Sequence, residues 1–152
     1  MSASSTRQSS VEPINSITCV TFREILLNVD WRQGESDRAT LPTTPGIYAE
    51  VFWPARAVRI GETGLSIRAK VGQDWSWLRS MGDGTAPATQ LRRSHPICAA
   101  AREFGSDGFE AFLVSDDPQL LDKTVRQECE RYLFEYVRAS EWIDWNRQRS
   151  WR

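Results

Sequence analysis

The sequence predicts an α+β fold built on a small, mostly antiparallel three-stranded sheet flanked by helices. Three observations predict it. Two short strand-like runs, Ile47–Trp53 and Ala57–Ile60, are separated by Pro54 and read as an antiparallel hairpin. A third β-rich run covers Phe109–Val114. Around these runs, apolar residues recur at helical spacing. With 152 residues the chain suits one domain and is long enough to bury a core.

Taken in order, residues 1–16 are Ser/Thr-rich and read as an unstructured arm. Residues 17–43 read as a helix followed by a polar loop. Thr21-Phe22-Arg23-Glu24 has the pattern of a capping box, and Phe22, Ile25, Leu26 and Val29 supply an i, i+3, i+4, i+7 stripe. Pro45-Gly46 closes the loop and opens the hairpin. Gly61-Glu62-Thr63-Gly64 turns the chain into a second helix, whose apolar stripe is Ile67, Val71, Trp75 and Leu78. Residues 81–87 read as a loop, and a short helix is expected from Pro96 to Gly105. After the third strand, Asp117 caps a long helix with Pro118 at its first position, running to about Arg138. The tail, 140–152, carries Trp142, Trp145 and Trp151 with Arg147, Arg149 and Arg152, a locally basic end suited to phosphate.

Composition narrows the function classes. Hydrophobic content of 40% and charged content of 26% are globular values. The first twelve residues lack the apolar centre of a signal peptide, and no run reaches the ~18 apolar residues of a membrane span. Cys19, Cys98 and Cys129 are widely spaced and odd in number, which speaks against a zinc site or a disulfide framework; a cytoplasmic location is the expectation. The net charge of −1 speaks against non-specific DNA coating, so any nucleic-acid contact must use a local positive field. All but two of the 19 basic residues are arginines, a bias that suits phosphate and that genome composition alone also produces. The phosphate loop, dinucleotide fingerprint, nucleophile elbow and HExxH motif are absent. The single His95 stands before Pro96 and reads as a loop or capping residue.

The central segment holds the chemistry. Gly46-Ile47-Tyr48, then ten residues, then Arg59-Ile60-Gly61-Glu62-Thr63-Gly64 resembles the GIY-YIG nuclease superfamily over residues 44–139. The resemblance implies that the two motif halves lie on neighbouring strands. It further implies that the next helix bears an essential Arg and that a later helix bears one metal-binding Glu. Tyr48 matches the first tyrosine, whereas Arg59 replaces the second. The family Arg falls at Arg68 or Lys70; helical angles do not separate them, and Arg68 is chosen because it lies slightly nearer the apolar stripe and keeps a guanidinium. Gln73-Asp74 stands where many members have a His.

The metal carboxylate is Glu128 or Glu130. Each falls beside apolar residues, on opposite sides of the helix. Glu130 is chosen because Leu133 and Phe134 follow at +3 and +4, the family pattern. An Arg126–Glu130 salt bridge is the plainer reading of that carboxylate.

The implied activity is Mg²⁺- (or Mn²⁺-) dependent DNA endonuclease chemistry with water as nucleophile. Phosphodiester hydrolysis needs charge stabilisation on phosphoryl oxygens. One hydrated Mg²⁺ on a carboxylate and a bidentate guanidinium supply it. Tyr48 as a proton acceptor would need a nearby cation, and Arg59 is expected to provide that field. Lys70, Arg92 and Arg93 join Arg68 as expected nucleic-acid contacts, the latter two within an insertion suited to substrate selection. Trp75 and Trp77 suit base stacking or packing. A double-strand cut from one site per chain would require a homodimer or sequential nicks. The competing readings are a catalytically degenerate nucleic-acid-binding module and an interaction protein that docks through its Trp-rich tail.

Overall fold

The computed structural model describes residues 18–82, 101–102 and 107–144. Strands β1 (Cys19–Phe22) and β2 (Ile25–Asn28) form a separate antiparallel hairpin. The central sheet comprises β3 (Gly46–Phe52), β4 (Ala57–Thr63) and β5 (Phe109–Ser115), with β3 in the middle and antiparallel to both neighbours. Two-residue β6 (Ile143–Asp144) adds to β4 in parallel, making the order β5-β3-β4-β6. Helix α1 (Ile67–Gly82) follows β4, and helix α2 (Lys123–Arg138) follows β5. This is the expected α+β class, a small sheet between helices.

Every residue of β3 is buried, so this strand has core on both faces. Its alternation sorts the layers. Ile47, Ala49 and Val51 join Val58, Ile60 and Val114 under α2, which contributes Cys129, Leu133 and Val137. Tyr48 and Phe52 face the other way, towards Ile67, Val71 and Leu78 of α1. The β3–β4 connection is a short 3₁₀ turn over Trp53–Ala55, closed by Arg56 in the left-handed region.

The helix expected over residues 21–29 is instead the β1–β2 hairpin. Phe22, Ile25, Leu26 and Val29 fit a helical stripe, yet Ile25, Leu27 and Val29 alternate inward while Leu26 is 63% exposed. Arg23 and Glu24 both hold positive φ, 51° and 66°, the conformation of a two-residue hairpin turn. Asn28 Nδ2 donates to the Leu113 carbonyl at 3.1 Å, tying this hairpin to β5. The long helix also starts later than expected. Asp117 caps only a 3₁₀ turn over Pro118–Leu121, and Asp122 then caps α2, accepting from the Val125 amide at 3.0 Å. The end at Arg138 is as read from the sequence. Of the expected 96–105 helix, only Ala101 and Arg102 are described, and both are helical; the remainder lies outside the described residues.

Candidate functional site

The strand register places the two halves of the central motif side by side: Gly46 opposite Thr63, Tyr48 opposite Gly61, Glu50 opposite Arg59. Tyr48 lays its ring across Gly61. A Cβ at position 61 would fall within 2.6 Å of the ring's Cε2 and Oη, so this position admits only glycine while Tyr48 holds its place. The aromatic residue of one strand thus dictates the glycine of the next.

Beneath α1 the same face buries four polar side chains. Tyr48 and Glu50 are 0% exposed, Asp74 1% and Arg59 8%. Arg59 Nη1 donates to Glu50 Oε1 at 3.0 Å and lies 4.0 Å from Asp74 Oδ2. Its guanidinium carbon stands 6.0 Å from the Tyr48 ring centroid. Burial pushes the Glu50 carboxyl well above its ordinary range, and Asp74 raises it further, against the smaller pull of Arg59. A Glu50 that keeps its proton lowers the charge buried beside Arg59.

Arg59 stands close to Tyr48, as the sequence suggests, with the opposite chemical outcome. Burial raises the Tyr48 phenol far above its ordinary value, outweighing the lowering effect of Arg59. The phenol therefore stays protonated, and solvent does not reach its hydroxyl in this conformation. In this conformation Arg59 pairs with Glu50 and stands beside Asp74.

The remaining expected residues occupy other surfaces. Arg68 is exposed on the first turn of α1, where its Nε donates to the Leu41 carbonyl at 2.7 Å. Lys70 is half-buried, about 200° further round the helix. Glu130 is 1% exposed on the inward side of α2. Glu128 is half-exposed and bridges Arg23 of the first turn at 2.6 Å. The geometry thus distinguishes two carboxylates that periodicity leaves equivalent. Arg126 pairs with Glu62 rather than with Glu130, and its Nη1 donates to the Leu120 carbonyl at 3.0 Å. This ties α2 to the end of β4. A Cβ at Gly64 would meet Arg126 Nη2 at 2.8 Å, so the turn that follows is shaped around the guanidinium. Arg92, Arg93 and His95 lie outside the described residues.

A hard carboxylate oxygen such as Glu130's suits Mg²⁺, which keeps several of its waters when bound. Burial does not suit it: at 1% exposure the carboxylate offers a hydrated cation no room without movement of its neighbours. Among the described residues no three His, Cys, Asp or Glu converge on one point.

Sequence reasoning passed over the buried Glu50, the Arg126–Glu62 pairing and the approach of Asp74 to Arg59. An acid two positions from Tyr48 in an otherwise apolar strand was the available signal for Glu50. No helix of the described residues is long and apolar enough to cross a membrane. No protein-family model, curated protein or solved structure matches this chain.

Proposed function

We propose that this protein is a metal-dependent endonuclease acting on DNA phosphodiester bonds on a GIY-YIG-like scaffold, with water as nucleophile. The observation that carries the reading is the register of the two motif halves, in which Tyr48 packs on Gly61 across adjacent strands and the chain then enters a helix bearing Arg68. Arg68 is the exposed guanidinium of this set and suits a non-bridging phosphate oxygen. Glu130, the buried carboxylate of α2, is the proposed metal ligand, which requires the site to open around it. Incubation of wild type and Glu130→Gln with plasmid, branched DNA and RNA, with Mg²⁺ or EDTA, tests this. The reading expects Mg²⁺-dependent product from the wild type alone.

A second reading, binding without cleavage, draws on the buried cluster. Arg59 stands where the family has its second tyrosine, and its charge is committed to Glu50 and Asp74. This reading expects salt-sensitive DNA binding and no Mg²⁺-dependent product from either protein.

A further inference from the structure

Outside the motif, a groove of about 370 Å³ opens along α1, lined by Ser36, Arg38, Trp75, Arg79, Phe109 and Glu110. Its volume falls at the lower end of the ~300–1,000 Å³ range of small-ligand sites. Two walls are aromatic: Trp75 and Phe109 meet edge to face, centroids 5.0 Å apart at 87°. The Arg38 guanidinium stands 5.4 Å from the Trp75 ring centroid. Arg38 is presented by a 3₁₀ turn that Asp37 caps, accepting from the Ala39 amide at 3.0 Å. Arg79 follows Trp75 by one helical turn on the same ridge.

The charges in this groove are unevenly committed. Glu110, the acid of the lining, accepts from the Gly34 amide at 3.0 Å and from Trp53 Nε1 at 2.8 Å. The Ser36 hydroxyl donates to the Ala111 carbonyl. Arg38 and Arg79 are exposed, and neither has a carboxylate partner among the described residues. What remains to be satisfied is therefore two guanidiniums beside an aromatic floor. A planar ring bearing a phosphate matches that pair of demands, since a base stacks on aromatic faces and on guanidinium planes.

The ridge also connects to Arg68. Positions 68, 72, 75 and 79 fall on one side of α1, and Gly72 leaves open space between Arg68 and Trp75. At about 1.5 Å per residue, Arg68 and Arg79 lie roughly 16 Å apart along the axis, the reach of a few nucleotides.

We infer that this groove holds an unpaired nucleotide of a single strand, its base against Trp75 and Arg38 and its phosphates on Arg38 and Arg79. The inference deepens the nuclease reading and rests on it for the choice of nucleic acid. Its test is a binding measurement in EDTA, so that failure to cleave has no bearing on it.

The measurement is anisotropy of a labelled single-stranded oligonucleotide titrated with wild type, Arg38→Gln/Arg79→Gln, Trp75→Leu and the control Arg131→Gln, with folding checked by circular dichroism. Loss of two phosphate contacts should weaken binding at least tenfold and reduce the slope of log K against log salt by about 1.4, at ~0.7 per contact. Arg131→Gln should bind as wild type, and a duplex of the same sequence should be less sensitive to the double variant. Competition by a nucleoside monophosphate, but not by inorganic phosphate alone, would support the base contact and identify a free nucleotide as a second source of the ligand. Unchanged affinity and salt slope in the folded double variant would overturn the inference. So would absence of single-strand binding by the wild type. Because the double variant keeps both aromatic walls, misfolding of Trp75→Leu leaves the test intact.

Discussion

Replacing Gly61 by alanine probes the link between the two motif strands. The added Cβ would sit within 2.6 Å of Tyr48 Cε2 and Oη, roughly 1 Å inside the ~3.5–4.0 Å of ordinary carbon contacts. The ring has no free direction in which to yield: it is fully buried among Leu41, Ile67, Val71 and Ala111. Overpacking of this kind costs ~1–3 kcal/mol, and a rigid ring held by strand and helix places the cost at about 3 kcal/mol. For a chain of this size that lowers the melting temperature by about 6–12 °C. Thermal and urea denaturation followed by circular dichroism measure it. The companion Tyr48→Leu removes the ring and destabilises by about 3 kcal/mol through the space it leaves. Combined with Gly61→Ala, it should cost at least about 1 kcal/mol less than the two changes added. A Gly61→Ala protein within about 0.5 kcal/mol of wild type, or strict additivity in the double variant, would refute the packing argument.

Three further outcomes follow from the same structure. Because burial and Asp74 raise the Glu50 carboxyl above its ordinary 4.5, the native state keeps this proton to higher pH than the unfolded chain does. Its contribution to stability is therefore complete below about pH 4.5 and is lost as pH rises towards the native value. The stability of wild type relative to Glu50→Gln should fall as pH rises above 4.5 in urea titrations; a flat or rising difference contradicts the burial argument. Burial, with Glu130 beside it, pushes the Cys129 thiol up to about 12. Alkylation read by mass spectrometry should accordingly modify exposed Cys19 in the native protein and Cys129 only after unfolding; rapid native labelling of Cys129 would show that α2 opens readily. Glu24 holds φ at 66°, so Glu24→Gly should raise stability by about 0.5–1 kcal/mol in thermal denaturation. A loss of stability would argue against the hairpin turn.

The central sheet was legible because its strands carry their own punctuation. Pro54 breaks the hairpin, Gly64 follows the last residue of β4, and Phe109 to Ser115 is a run too short and β-rich for a helix. Helix α1 announced itself through Ile67, Val71 and Leu78, all of which are buried. The first hairpin was not legible, since Phe22, Ile25, Leu26 and Val29 satisfy the helical period and neither turn residue is Gly or Asn. The deciding fact, that Leu27 packs inward while Leu26 faces water, belongs to tertiary structure.

The candidate site divides the same way. The resemblance implied neighbouring strands for the two motif halves, where Tyr48 does lie beside Gly61, and it marked Arg59 as a departure from the motif. The partners of Arg59 come from β3 and from the second turn of α1, and no local pattern pairs Asp74 with a strand arginine across an intervening turn. Arg38 is hidden in the same way: it precedes the motif in a polar loop, and only the fold brings it over Trp75.

The central claim is that this scaffold cuts DNA. Supercoiled plasmid and branched DNA, incubated with Mg²⁺ or EDTA, give the most direct measurement when wild type, Glu130→Gln and Arg68→Gln are compared after their folding has been checked. The account predicts nicked or linear product from the wild type with Mg²⁺, none with EDTA, and at least a hundredfold less from either variant, about 2.7 kcal/mol of lost transition-state stabilisation. Absence of Mg²⁺-dependent product from folded wild type, or equal cleavage by all three proteins, would contradict it.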